Sequence, residues 1–64
     1  MPGRITGDVL QIDGNTYVVR DEQGNELSLR TDKKTQFSGM IRIGEHIVAD
    51  VEKGGRVAVI RRAP

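Results

Sequence analysis

Side chains capable of chemistry are few in this chain of 64 residues. It has one histidine, His46, and no cysteine, so a metal site would have to combine that histidine with carboxylates. Asp50 shares the strand face of His46, but a separation of four residues spans about 13 Å along a strand, which is too far for one ion. We therefore predict an exposed strand histidine, no metal site and no cofactor.

Catalysis by a nucleophile or by paired acids is poorly supported. Ser28 and Ser38 would have to share the only histidine as a base, and their strand and turn positions give no such arrangement. Asp21-Glu22 falls in a turn, while Asp50 and Glu52 fall on an exposed strand face, where solvated charge explains both pairs. The glycines form no strand–loop–helix phosphate site. We predict no catalytic residue and a protein that is not an enzyme.

Composition narrows the class of protein further. Ten Lys and Arg against nine Asp and Glu give a net charge of +1, which argues against a strong binder of nucleic acid or of membrane surfaces. No run approaches the roughly 18 apolar residues of a membrane span. We expect one domain over residues 1–64, with its core at about 4–62.

The N-terminus leaves the compartment open. Met1-Pro2-Gly3-Arg4 lacks the apolar segment of a signal peptide. The sequence therefore predicts either a cytoplasmic protein or a periplasmic or otherwise exported protein whose signal segment has been trimmed.

The elements that must position these side chains are strands. Val, Ile and Thr are concentrated in short runs separated by glycine-containing turns, and no run has helical apolar spacing. We predict five strands, at 4–12, 15–21, 26–31, 45–52 and 56–62. This order, with one long link between the third and fourth strands, is typical of an all-β, OB-like Greek-key barrel. An SH3-like barrel is the alternative.

Several local features follow from the same pattern. A change of apolar phase near Val9 predicts a bulge. Asp13-Gly14 predicts a type I′ hairpin turn, and Gly24 a left-handed residue in a type I turn with a bulge. Asp32 is expected to cap a single helical turn in the long link.

Both aromatic residues are predicted to lie inside the barrel. Tyr17 alternates inward with Val19 on the second strand, and Phe37 is expected to plug one end. Val18 and Val48 are predicted to face outward. This placement leaves no aromatic side chain for stacking on bases.

Turn glycines and apolar alternation extend over about residues 5–61. The stretches are Gly7-Asp8-Val9 to Ile12, Tyr17-Val18-Val19-Arg20-Asp21 followed by Gly24, Phe37-Ser38-Gly39, Gly44 to Val51, and Lys53-Gly54. They resemble the bacterial OB-fold family of small periplasmic proteins, and equally some short bacterial OB-like domains. Phe37 stands where the family more usually has tryptophan. The resemblance implies an OB fold that binds small ligands or cations, and it carries over no catalytic residue.

A candidate binding face lies on the second and third strands, where OB folds often bind their ligands. Its members are Thr16, Val18, Arg20, Ser28 and Arg30, with Lys33 and Lys34 in the following loop. The face has no aromatic side chain, although stacking supplies roughly 1–3 kcal/mol per base. Glu22 and Glu26 are expected to form ion pairs with its two arginines.

A second basic cluster is indicated near the last strand. It would comprise Arg56, Arg61 and Arg62, with Arg4 joining if the terminal strands approach. Such residues usually discourage pairing at a sheet edge, and a weak site for an anionic partner is the alternative.

The sequence thus predicts a non-enzymatic binding module whose partner is an unknown protein or small ligand. A weak binder of single-stranded nucleic acid through the second and third strands is the alternative. The oligomeric state stays open.

Overall fold

The computed structural model describes residues 3–64 and shows an all-β protein. The strands are β1 (Gly3–Asp13), β2 (Thr16–Asp21), β3 (Glu26–Arg30), β4 (Gln36–Ser38), β5 (His46–Val51) and β6 (Val57–Arg62). Met1 and Pro2, half of the tetrapeptide considered for targeting, lie outside the described residues. In the part of the chain that the structure describes, no helix is long and apolar enough to cross a membrane.

The six strands form one sheet in the order β3-β2-β1-β5-β6-β4, which closes as a barrel. The first half of β1 pairs with β5 and its second half pairs with β2, both antiparallel. A parallel bridge from Arg30 to Arg56 joins the end of β3 to the start of β6. The predicted OB-like barrel is confirmed, with the short β4 as an additional strand in the long link.

Two strands, β1 and β6, contain a bulge. In β1, Val9 pairs with Val19 and Gln11 with Val18, so the predicted bulge near Val9 is confirmed. A second register shift in β6 leaves Ala58 as the extra residue between the pairs that involve Val57 and Val59. Because an extra residue reverses the alternation of a strand, Val57 and Ile60 both reach the core.

The core is small and aliphatic. Its buried members are Val9, Val19, Leu29, Ile47, Ala49, Val57 and Ile60. Tyr17, Leu27 and Val51 are half-buried and pack against this cluster, so the inward alternation predicted for the second, third and fourth strands is confirmed. Gly7 is buried where β1 passes between its two partners, since it pairs with both Asp21 and Ile47.

Of the two predicted hairpin turns, one differs in type from its prediction and the other keeps its left-handed glycine. The first hairpin has Gly14 and Asn15 at its centre, and only Gly14 has a positive φ, 59°. A glycine at the first central position fits type II′, so the predicted type I′ turn at Asp13-Gly14 is wrong. The left-handed Gly24 is confirmed, with a φ of 86°.

The link after β3 contains a tight turn over residues 32–35 in place of the predicted helical turn, but the Asp32 side chain caps this turn as predicted. Thr35 donates its backbone N–H to the carbonyl of Asp32 at 3.0 Å, and Lys34 donates its N–H to the Asp32 carboxylate at 2.9 Å. The Thr35 hydroxyl also donates to the Val57 carbonyl at 2.8 Å. These bonds hold a tight turn that delivers the chain to β4 beside β6.

Candidate functional site

The structure assembles the predicted binding face on β2 and β3. Thr16 lies opposite Arg30, Val18 opposite Ser28, and Arg20 opposite Glu26. Arg20, Ser28 and Arg30 are exposed, whereas Thr16 and Val18 are half-buried. Lys33 and Lys34 follow in an exposed turn. The sequence therefore placed the five strand residues together correctly, and the structure leaves their predicted role in binding untested.

Ionisable side chains follow one another across the outer surface of four strands near this face. Asp8 on β1 is paired in register with both His46 on β5 and Arg20 on β2, and Arg20 is paired with Glu26 on β3. His46 Nδ1 lies 2.8 Å from Asp8 Oδ1. Sequence reasoning missed Asp8 because it lies 38 residues from His46 and meets it only through the β1–β5 pairing.

The ion pairs predicted for this face are wrong. Within residues 3–64, neither Arg20 nor Arg30 forms an ion pair, although the register brings Arg20 opposite Glu26. The same described region holds no group of three His, Cys, Asp or Glu side chains placed to bind a metal. The half-buried His46, predicted to be exposed, has a single carboxylate partner.

Arg56 is instead the centre of a local ion-pair network. Its Nε and Nη2 donate to the two oxygens of Asp32 at 2.6 and 3.0 Å, and its Nη1 donates to Glu52 at 3.0 Å. The Arg56 guanidinium lowers the pKa of Asp32 to about 2. An open concavity of about 340 Å³ lies here, lined by Arg30, Thr31, Asp32 and Arg56. Asp32 and Arg56 bond each other and the Thr31 hydroxyl donates to the Asn15 carbonyl, so Arg30 is the lining side chain without an ion pair among the described residues.

The predicted basic cluster assembles only in part, because Arg4 and Arg61 both lie near the carboxylate of Asp50 while Arg56 lies at the opposite end of β6. Arg56 is committed to its two carboxylates, and Arg4 donates from Nε to Asp50 at 2.9 Å, which lowers the pKa of Asp50. Arg61 and Arg62 lie at the other end of β6, beside β4 and β5.

The large exposed apolar side chains of the described residues lie in one short segment. Phe37 is 45% exposed, Met40 62% and Ile43 63%. Phe37 is paired in register with the buried Ile60, so its side chain lies on the core side of the sheet, and its ring centroid is 5.9 Å from that of Tyr17. The prediction that Phe37 is an interior plug is nevertheless wrong, because β4 is an edge strand of three residues that leaves much of the ring uncovered.

Backbone turns present this segment to solvent. Gly39 and Gly44 have φ values of 83° and 93°, which favour glycine. Glu45 donates its N–H to the Arg42 carbonyl at 3.0 Å, so Gly44 occupies the third position of a turn whose second residue is Ile43. A positive φ at the third position fits a type II turn, and its second residue, Ile43, is largely exposed. The sequence carried one signal for this segment: Met40, Ile41 and Ile43 lie between two glycines, Gly39 and Gly44.

Three arginines adjoin these apolar side chains. Arg61 pairs in register with Ser38, and Arg62 Nε lies 3.2 Å from where a Cβ on Gly39 would stand. Arg42 Nε lies 3.2 Å from Met40 Sδ. Together these residues define what we call the β4 surface: Phe37, Met40, Arg42, Ile43, Arg61 and Arg62.

The fold class is that of small OB-like β-barrels. No protein-family model matches the chain, and no curated protein sequence matches it. Solved structures of CusF do match it. A silver-bound CusF has a TM-score of 0.80 and 15% identity over 98% of this chain and 99% of that chain.

Two further CusF structures, both from Escherichia coli, agree with this match. The apo form has a TM-score of 0.79 and 15% identity, covering all of this chain and 92% of that one. Another form with Ag(I) has a TM-score of 0.79 and 16% identity, covering 98% of this chain and 95% of that one. At this identity the likeness shows the fold, and it agrees with the predicted resemblance to bacterial OB-like domains at that level.

Proposed function

We propose that this chain is a non-enzymatic binding module that holds a protein partner on the β4 surface. The observation that carries the proposal is that Phe37, Met40 and Ile43, which are the large exposed hydrophobic residues of the region 3–64, fall within seven consecutive residues of the chain. Contiguous exposed apolar side chains rimmed by polar groups typically mark interaction sites. The exposure of each is unfavourable in the free protein, and a partner that covers all three removes that cost.

A small-ligand pocket has weaker support. Ligand pockets are usually enclosed and lined mainly by apolar side chains. The concavity at Arg56 is open, and its lining residues are Arg30, Thr31, Asp32 and Arg56, of which the last two are bonded to each other. A solvated network of this kind explains the position of Asp32 without a ligand or a reaction.

Metal binding, which the silver-bound CusF structures show for that protein, does not fit the side chains of this one. Ag(I) is a soft ion that prefers sulfur and imidazole ligands. This chain has no cysteine, the sulfur of Met40 faces the Arg42 guanidinium, and among the described residues His46 belongs to no group of three His, Cys, Asp or Glu side chains placed to bind a metal. We propose that the chain shares the barrel of CusF and uses a different surface for a different partner.

The alternative function, binding of single-stranded nucleic acid, also lacks supporting side chains on the face predicted for it. Arg20 stands between Asp8 and Glu26, so its positive charge is flanked by two negative ones. Thr16, Val18, Ser28 and Arg30 provide no ring on which a base could stack.

Site-specific photo-crosslinking tests the proposal. Benzophenone side chains would be placed at position 40, in the β4 surface, and at position 22, in the exposed β2–β3 turn, in the full chain in its native cells. We expect one discrete protein adduct from position 40 and none from position 22. The purified partner should then bind the unmodified chain and lose about tenfold in affinity on Ile43→Thr, because burying an aliphatic side chain contributes about 1.5 kcal/mol or more.

Two results would refute the proposed function. One is an equal pattern of adducts from positions 40 and 22, or no adduct from either. The other is a purified partner whose affinity for the chain is unchanged by Ile43→Thr. Glu22→Gln is the matched control, since Glu22 is exposed in the β2–β3 turn, is not a member of the β4 surface, and its substitution should leave affinity unchanged.

A further inference from the structure

We propose that the partner enters the β4 surface as an extended strand that pairs with the free edge of β4 and carries alternating acidic and apolar side chains. This inference rests on the proposed function and adds the binding mode and the chemistry of the bound segment. Three independent features support it: an unguarded strand edge, apolar side chains beside that edge, and arginines whose charge is not matched locally.

The edge of β4 is open and uncharged. β4 pairs only with β6, so its other edge presents backbone groups to which no described strand is bonded. Its residues, Gln36, Phe37 and Ser38, carry no charge. The other end of the sheet, β3, has Glu26 and Arg30 at its two termini. Charged side chains discourage strand addition, so β4 is the edge better suited to receive a strand.

The exposed part of the Phe37 ring lies where one face of an added strand would reach it. Phe37 is on β4 itself, on the core side of the sheet, and Ile43 is exposed in the turn that follows. Alternate side chains of a strand point to the same face, so apolar residues of the incoming segment that fall on the core side would contact Phe37. Three residues of β4 supply few backbone hydrogen bonds, and side-chain contacts must therefore contribute much of the affinity.

Charge decides which partner the surface favours. Within residues 3–64, Arg42 and Arg62 form no ion pair, whereas Arg61 has the carboxylate of Asp50 nearby. A symmetric contact with a second copy of the chain would bring these arginines together and be opposed by like-charge repulsion. Phe37 carries the one aromatic ring among the residues of the β4 surface, and it already packs against Tyr17, so successive bases would find no series of rings on which to stack, which disfavours nucleic acid. A peptide with acidic and apolar side chains complements both features.

Three synthetic octapeptides test this mode. The first alternates glutamate and isoleucine, the second alternates lysine and isoleucine, and the third is the first with its alternate backbone nitrogens methylated. Each is titrated into the full chain while amide resonances are followed by NMR. We expect the glutamate peptide to shift the amides of Gln36–Ser38 and slow their hydrogen exchange. The lysine and methylated peptides should each bind at least tenfold more weakly.

Matched charge variants sharpen the assignment. Arg42→Glu combined with Arg62→Glu should reverse the preference, so that the lysine peptide binds more tightly than the glutamate peptide. Arg30→Glu removes an exposed arginine on β3 and should leave the preference unchanged. Both sets of residues are exposed and without ion pairs among the described residues, so the variants should fold.

Several results would overturn the inference. They are failure of the glutamate peptide to bind, equal binding by the methylated peptide, equal binding by the lysine peptide, shifts confined to β3, and self-association through β4. Tighter binding of an oligothymidylate than of the glutamate peptide would do so as well. None of these outcomes depends on the crosslinked adduct at position 40. If a partner is crosslinked at position 40 but the chain binds none of these peptides, the proposed function is retained and the strand-addition mode is refuted.

Discussion

Gly7→Ala should be among the most damaging small substitutions in this barrel. A Cβ on Gly7 would overlap the carbonyl oxygen of Arg20 and stand 2.8 Å from both the Arg20 carbonyl carbon and Val19 Cγ1. Two of these three atoms belong to the backbone of β2, which cannot rotate away as a side chain could. Relief therefore requires β1 and β2 to separate, and the buried Val9 and Val19 are paired just beside this point.

The cost can be set against the whole stability of the domain. Inserting a methyl group into a closely packed site typically costs about 1–3 kcal/mol, occasionally more, and a backbone obstacle favours the upper end. A domain of this length has a total stability of roughly 3–10 kcal/mol. We therefore expect Gly7→Ala to remove about 3 kcal/mol, a third or more of the free energy of unfolding.

Urea denaturation followed by circular dichroism measures this change directly. With a slope near 1 kcal/mol per molar urea, the midpoint should fall by about 3 M. Gly3→Ala is the matched control, because Gly3 lies on the same strand and an added Cβ there meets nothing within 4 Å. The control should be neutral or stabilising by up to about 1 kcal/mol. Equal midpoints for the two variants would refute the close approach of β1 and β2.

Three further changes test other parts of the structure. Ile60→Ala should cost about 2–5 kcal/mol in the same urea assay, because Ile60 is fully buried and its loss leaves a cavity. Asp32→Asn should lower the Tm at pH 7, and the Tm difference from the unchanged protein should shrink as the pH falls from about 4 towards 2. The Arg56 guanidinium lowers the pKa of Asp32 from 3.8 to about 2. The ion pair therefore stabilises the fold above the pKa of Asp32 in the unfolded chain, and this stabilisation is lost as Asp32 becomes protonated in the folded protein. A constant Tm difference over that range would contradict the pairing. Calorimetric titration with Ag(I) should give no stoichiometric site, and Met40→Leu should leave the heats unchanged; a saturable one-to-one isotherm would contradict our assignment.

Most of the fold could be predicted from local patterns. The alternation of Tyr17 with Val19 and of Ile47 with Ala49 located strands and their core faces, and the phase change near Val9 located a bulge. The turn at Gly14 was assigned to the wrong type because the register of a hairpin is set by pairing along both strands. The register shift at Ala58 likewise needs β5 as a partner before it becomes visible.

The candidate site was predicted less well, for a physical reason. Strand alternation brings Arg20, Ser28 and Arg30 together, and that part of the prediction required only local information. Phe37 was assigned to the interior because large aromatic side chains are usually buried. Its exposure depends on the shortness of β4 and on the absence of a further described strand beside it. No local pattern contains that information.

The central claim is that Met40 and Ile43 are open to solvent in the free protein and covered by a protein partner. Relaxation of their methyl groups by a soluble gadolinium chelate, measured by NMR in the free chain and in its complex with the crosslinked partner, tests it most directly. We predict strong relaxation in the free chain that falls, in the complex, towards that of the buried Ile47 methyl groups. Methyl groups already protected in the free chain, or equally relaxed in the complex, would contradict the claim.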